Sequence, residues 1–379
     1  MIREGDNMRV GIDARGAIWY RGTGIGTYTY QLIYHLKKRA DKNNYRPFWP
    51  GEEYVNLDIT NNEEFSKIET NNEYWEECFL PQALVQEKID VYHVPQNGIG
   101  LPRTKKCRQV VTVHDLIPYI YPETVGKGYL KTFLTEMPRI MEQSDRIITV
   151  SRWSKRDIEK IFGYPSERID VISEAPEPIY QPLDRSMCRG FLAENYQIKE
   201  DYILYVGGFS PRKNIKVLIT AFSKIKDEVK KPIYLVLPGR RQKEQDYIDA
   251  LISALNIDAQ VIFPGFVPVH HLPYFYNAAR VFVYPSYYEG FGLPPLEAMA
   301  CGTPTLAARA SSLPEVVEDK ALLFDPYDPL ELAQSLFDLL SDPERAKKLG
   351  RKGLRHAAKF SWEKTAAETV GVYEKLFGN

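Results

Sequence analysis

The apolar positions of this chain gather into short runs of strand length, separated by polar loops and amphipathic stretches. Met8–Ile12 is the first such run, and Val91–Val94, Val110–Val113 and Arg146–Val150 repeat it. Each leads through a loop into helix-like sequence. A helix is expected over about Thr27–Arg39, where Tyr30, Ile33, Tyr34 and Leu36 recur near helical spacing. Buried strands alternating with helices predict a doubly wound α/β domain. The pattern loosens around 173–190, where Ser173–Pro182 carries three prolines in ten residues and reads as a linker. A second α/β pattern follows. Its expected strands are Tyr202–Val206, Ile233–Leu237, Val261–Phe263, Val281–Tyr284 and Thr305–Ala307, and its expected helices include Ile215–Ile225 and Gln245–Leu255. The two halves are similar in size and share no residue-level repeat. Trp362–Phe377 reads as a final helix.

Composition narrows the class. The 379 residues are enough for two or three domains. Lys and Arg number 49 and Asp and Glu 50, so no bulk charge excess points to nucleic acid as a partner. Four cysteines, at 78, 107, 188 and 301, form no C-x-x-C pair, and no histidine stands at ligand spacing from them. Neither a disulfide framework nor a metal site is expected, and the usage fits a reducing cytoplasm. Residues 1–7 read as a polar tail, or Met8 as an alternative start; they lack the apolar core of a signal peptide, and no apolar run approaches bilayer length. Any membrane role would be peripheral. The stretch 127–168 carries nine Lys/Arg against six Asp/Glu, which suits anionic lipid or simply solvated helix faces.

The chemistry concentrates between Tyr284 and Pro304. A strand ends near Tyr284, and a short helix is expected from about Pro295 to Cys301, with Gly302 just past its end. The backbone N–H groups of Gly290–Leu293 then sit at a helix N-terminus and suit a phosphate. Glu289 and Glu297, eight residues apart, flank this position. A carboxylate repels phosphate, so both are expected to take sugar or ribose hydroxyls instead. A second element is Tyr205–Asn214, where Gly207 and Gly208 let the backbone approach a ligand. Arg212 and Lys213 follow and suit a diphosphate leaving group, with no metal required. Gly22–Gly26 forms a glycine-rich loop, but neither starting glycine completes G-x-G-x-x-G, which weighs against nicotinamide binding. His114 follows a strand, where α/β ligands bind; the alternative is a structural histidine bonded to backbone. Ser151 is expected to cap the helix through Ile158, and Ser312–Glu315 has the form of a capping box.

These segments resemble family-four glycosyltransferases of the GT-B fold, with two Rossmann-like doubly wound domains facing a cleft. The likeness runs through GTGIGTYTYQL (22–32), TVHDLIP (112–118), VSRWSKRDI (150–158), YVGGFSPRKNI (205–215), YEGFGLPPLEAMACGTPTLAA (288–308), SLPEVVEDKALLFDP (312–326) and FSWEKTA (360–366). It implies an N-terminal acceptor domain over 1–185, a donor domain over 186–358, and a helix over 359–379 returning to the first. It implies transfer of a hexose from a nucleotide diphosphate sugar with retention and no metal or other cofactor. Arg212 and Lys213 would bind the diphosphate, Glu289 the sugar hydroxyls and Glu297 the ribose. Gly208, Phe291, Gly292 and Leu293 would line the nucleotide sugar, and Gly24 would approach the phosphate or acceptor. His114 would lie near the donor sugar, and the base near Gly265–Val267. The opening GIDAR with TVHDLIP is most similar to the mannosyl- and rhamnosyltransferase branch of surface-polysaccharide assembly. GDP-mannose is therefore the first donor expected and a UDP-hexose the second, with a saccharide or lipid-linked acceptor. A nucleotide-sugar 2-epimerase and an inactive nucleotide-sugar binder are the rival readings on this fold. Many relatives carry glycine after the S-L-P-E-V-V run; Glu318 stands there in this chain and is expected to be a surface change.

Overall fold

The computed structural model describes residues 7–20, 22–49, 74–239 and 246–378. Residues 1–6 of the expected N-terminal tail, Arg21 and Gln245 lie outside them. The chain divides into two units, Met1–Glu174 with Ser361–Asn379, and Ala175–Phe360. The first break precedes residue 185 because the proline-rich segment is tied to the second unit. Tyr180 packs edge-on against Tyr276, and the Leu183 N–H donates to Asn277 Oδ1 at 2.9 Å.

The first unit is built on six strands: β1 (Arg9–Asp13), β2 (Asn44–Phe48), β3 (Val91–Val94), β4 (Arg108–Val113), β5 (Arg146–Thr149) and β6 (Ile169–Val171). They pair in parallel in the order β2-β1-β3-β4-β5-β6. Every residue of β3 is buried, as a parallel sheet covered on both faces demands. The order reverses between β1 and β3, which makes the ends of these strands the unit's switch point.

Two local features there differ from expectation. A short helix, Arg15–Trp19, follows β1 directly. The glycine-rich stretch is less a loop than a helix start. Thr23 Oγ1 accepts the Gly26 N–H at 3.2 Å, and this cap begins the helix Gly24–Lys38. Ser151 caps its helix as expected, accepting from the Ser154 N–H at 3.0 Å. The last helix, Trp362–Phe377, completes this unit. Its buried Tyr373 hydroxyl lies 2.7 Å from His93 Nδ1, and Thr365 donates to the Ser173 carbonyl at 2.7 Å.

The second unit holds β7 (Asp201–Leu204), β8 (Ile233–Val236), β9 (Val261–Ile262), β10 (Val281–Tyr284), β11 (Thr305–Ala308) and β12 (Leu322–Phe324). Their order is β12-β11-β10-β7-β8-β9, all parallel. Counted from β7 this is the Rossmann order, and its reversal lies between β7 and β10. The helix Leu313–Val317 ends on Glu318, whose φ of 50° and ψ of −143° fall in a region that favours glycine. Glu318 is therefore more than a surface change: the backbone keeps a glycine geometry under a side chain. Replacing it (Glu318→Gly) should raise stability by about 1 kcal/mol, since relief of strain outweighs the added freedom of the unfolded chain. A thermal melt checks this, and an unchanged or lower midpoint contradicts it.

Candidate active site

The residues that follow β7 and β10 meet at the switch point of the second unit. β7 leads through Tyr205 to Gly207, where an added Cβ would lie 2.6 Å from the Tyr205 hydroxyl. That hydroxyl donates to the Gly208 carbonyl, and the space beside Gly208 is open. The chain then makes a single turn, Pro211–Lys213. Asn214 ends the turn in the left-handed region, with φ 52°. Its buried amide donates to the carbonyls of Pro285 and Pro326, at 3.1 and 2.8 Å. The Tyr287 N–H donates to the Arg212 carbonyl at 2.9 Å. The basic turn is thereby fastened to the loop after β10.

That loop carries Glu289, which is 8% exposed. Three donors converge on its Oε1: Lys213 Nζ at 2.7 Å, Arg212 Nη1 at 2.9 Å and the Tyr284 hydroxyl at 3.1 Å. Burial raises the carboxyl's pKa, but the charges of Lys213 and Arg212 outweigh this and hold it at about 2. Arg212 also donates to the Tyr288 carbonyl. From the other side, Ser311 Oγ accepts the Glu289 N–H at 2.9 Å, while the Ser312 hydroxyl donates to the carbonyls of Glu289 and Phe291 at 2.9 and 2.7 Å. The expected capping box is thus not formed. Ser312 has helical dihedrals, its side chain caps nothing, and its hydroxyl serves the loop instead.

The helix after the loop is Leu293–Ala300, and Gly302 follows it with φ 75°. Gly292 precedes it with φ 117°, and a Cβ there would meet Leu313 Cδ2 at 2.7 Å. Pro294 and Pro295 lack N–H groups, so Leu293 is the donor among the first three helical positions. Phe291 is buried against Phe360. Glu297 stands apart from the Glu289 cluster. Its Oε2 accepts the Tyr276 hydroxyl at 2.8 Å, and Tyr180 also bonds it. Burial, with Glu177 adding repulsion against the tyrosine hydrogen bonds, lifts its pKa to about 7.

In the first unit, His114 is buried with both ring nitrogens engaged. Nδ1 is 3.0 Å from Glu174 Oε1, and Nε2 is 2.9 Å from the Pro95 carbonyl. Neither nitrogen is left to meet a substrate. The backbone-bonded alternative is the arrangement found, with a carboxylate added. Burial opposes the imidazolium, but Glu174 and the Pro95 carbonyl outweigh it and raise the pKa above the ordinary 6.5. A raised histidine contributes stability that is fully present below that ordinary value and is lost as pH rises through the folded one. In Glu174→Gln this alkaline loss should vanish, while the acid-side stability falls. Melting temperatures across neutral to mildly alkaline pH test this, and parallel curves for the two proteins would refute it. At the unit's switch point, buried Arg15 joins Asp13 Oδ2 at 2.6 Å, Glu76 Oε1 at 2.8 Å and the Gly100 carbonyl at 3.0 Å. The neighbouring position Gly24 is open. No group of three or more metal-ligating side chains occurs among the described residues, and no helix of these residues is long and apolar enough to cross a membrane.

The cationic turn and the buried carboxylate thus lie at a Rossmann switch point, the place where α/β folds bind their ligands. Residues 22–175 match the Glycosyltransferase Family 4, and residues 192–356 match the family described as Glycosyl transferases group 1. Over 384 aligned residues the chain is 32% identical to the O-antigen chain mannosyltransferase B of Escherichia coli, covering 96% of this chain and 99% of that protein. It is 33% identical to the serotype-specific mannosyltransferase WbdA of the same organism over 71% of this chain and 34% of that protein. Among solved structures, sucrose-phosphate synthase from Thermosynechococcus elongatus shares the fold, with a TM-score of 0.75 at 22% identity over 98% of this chain and all of that one. The chain belongs to this glycosyltransferase family. It is a GT-B enzyme that transfers a sugar from a nucleotide diphosphate sugar to an acceptor.

Proposed function

We propose that the protein transfers a hexose with retention, from GDP-mannose first of all, to a saccharide or lipid-linked acceptor in surface-polysaccharide assembly. The full-length likeness to an O-antigen mannosyltransferase supports mannose as the sugar and the setting. The observation that carries the chemistry is the convergence of Arg212 and Lys213 on Glu289 Oε1. Both cations are held against the loop where a diphosphate would end, and both are desolvated enough to act strongly on developing charge. As the sugar–phosphate bond breaks, Lys213, Arg212 and the Leu293 N–H stabilise the departing diphosphate. Glu289 orients hydroxyls of the transferred sugar, and its low pKa keeps it an acceptor throughout. Front-face attack leaves the acceptor proton to the leaving phosphate, so no covalent nucleophile is assigned. Glu297 takes the ribose hydroxyls, and His114 acts as a positioning residue through its fixed ring.

A thermal-shift panel of GDP, UDP, ADP and dTDP, with and without chelator, tests the donor. A shift with GDP alone, insensitive to chelator, followed by mannose transfer with retained anomeric configuration, is the expected result. A shift with UDP alone overturns the donor and keeps the class. Glu297→Ala should weaken nucleotide affinity about tenfold, the scale of a charge-assisted hydrogen bond. Because Glu297 titrates at about 7, affinity in the parent protein should improve as pH rises through that value. Calorimetric titration reads both effects, and an unchanged affinity removes Glu297 from the ribose.

A further inference from the structure

A cavity of about 380 Å³ opens in the second unit at the opposite end of the strands from Glu289. Arg280, immediately before β10, and Thr303, just before β11, line it. Glu289 follows the other end of β10, so the two places are separated by roughly 13 Å, the length of a four-residue strand. None of the cavity's lining residues belongs to the switch-point site.

Its charge is one-sided. Arg185, Arg280, Lys347 and Arg351 line it, against the single carboxylate of Glu344. Lys347 and Arg351 stand four residues apart on the helix Pro343–Ala357, one turn above the other on the same face. Arg280, Lys347 and Arg351 have no ion-pair or side-chain hydrogen-bond partner among the described residues. Arg185 donates through Nη2 to the Ala278 carbonyl at 3.1 Å and has only a share of a carboxylate. It lies 3.6 Å from Asp201, whose same oxygen is held at 2.6 Å by Arg189. Burial and the nearby charge of Arg280 both lower the Arg185 pKa, so the cluster repels itself as it stands. The chain as a whole has a net charge of −1, so this is local accumulation and not a general basic surface. The walls are set by close packing: Gly350 sits where an added Cβ would lie 2.2 Å from the Gly302 carbonyl.

Like charges gathered around a hollow raise the local positive potential, and an anion carrying more than one charge offsets it best. Three of the four cations are arginines, whose planar forks suit tetrahedral oxyanions. We propose that this cavity is a second anion site, separate from the donor site, that takes a phosphoryl or diphosphoryl group. That group comes either from a soluble phosphorylated ligand or from a lipid headgroup.

The test compares the full-length chain with Arg280→Gln/Arg351→Gln, which leaves the residues assigned to sugar transfer untouched. Pyrophosphate is titrated at fixed ionic strength by calorimetry and thermal shift. Phosphatidylcholine vesicles with and without phosphatidic acid are used in co-sedimentation. The double variant should lose one component of pyrophosphate binding, with affinity there falling tenfold or more, while the donor-site component persists and instead disappears in Lys213→Ala. Without ligand the variant should melt at an equal or higher temperature, because repulsion is relieved and no contact is lost. Loss of the pyrophosphate component identifies a soluble ligand. Loss confined to binding of phosphatidic acid vesicles identifies a headgroup. The same response of both proteins to both probes, including no response, overturns the proposal, as does a lower melting temperature of the unliganded variant.

Discussion

Lys213→Ala should lower turnover by about a hundredfold or more while leaving most of the acceptor affinity in place. Lys213 Nζ is fixed by Glu289 and the Tyr284 hydroxyl, both at 2.7 Å. On the proposed mechanism its charge is therefore already placed when negative charge builds on the leaving diphosphate, and no reorganisation is needed at that moment. An interaction that strengthens only in the transition state shows as lower kcat and kcat/KM together. Steady-state kinetics with saturating acceptor read the split. A rise in KM with kcat unchanged would make Lys213 a binding residue, and a near-normal rate would remove it from the mechanism. Arg212 remains paired with Glu289 in this variant, so the fold is expected to survive.

Glu289→Gln should have two effects of opposite sign. Turnover falls, because an amide cannot hold sugar hydroxyls as a carboxylate does. Nucleoside diphosphate binding tightens, by an order of tenfold, because Arg212 and Lys213 no longer share their charge with Glu289. On the proposed donor pose, the diphosphate in the parent protein competes with that carboxylate for both cations. The unliganded variant also loses about 3 kcal/mol of stability, the cost of leaving buried charges without their partner. Added nucleotide should restore part of the melting temperature. Weaker nucleotide binding in Glu289→Gln would mean that the carboxylate supports the cations' geometry more than it competes for their charge.

Parts of this site were legible along the chain and parts were not, for physical reasons. Glu289, Arg212 and Lys213 announce themselves because each sits where a buried strand run stops, and a strand end in a parallel sheet is where ligands bind. The helix at Leu293 is legible from Pro294 and Pro295. Asn214 was missed, although an Asn between a turn and a helix is a signal for the left-handed conformation it adopts. Tyr284 read as the end of a strand, and its hydroxyl's partner is visible only once the chain turns back on itself. Ser312 carried a misleading signal: its spacing to Glu315 has the form of a cap, but the loop carbonyls it serves lie more than twenty residues away. Glu174 lay in a segment that read as linker, so the pairing with His114 across sixty residues left no local trace. Asp13 and Arg15, two positions apart, look like any charged pair on a surface. Only the packing around them makes the pair a buried one.

The return of Trp362–Phe377 to the first unit has a consequence for how the protein is made. The buried Tyr373 that bonds His93 is synthesised only after the whole of the second unit. Until then β3 faces a missing neighbour, and the first unit waits, incomplete, through the synthesis of the whole second one. Domains commonly fold in the order of their synthesis; here the second unit is the first that can finish. A chain cut short before residue 361 would carry a finished second unit and an open first one, and until residues 361–379 are present a chaperone would find apolar surface to hold.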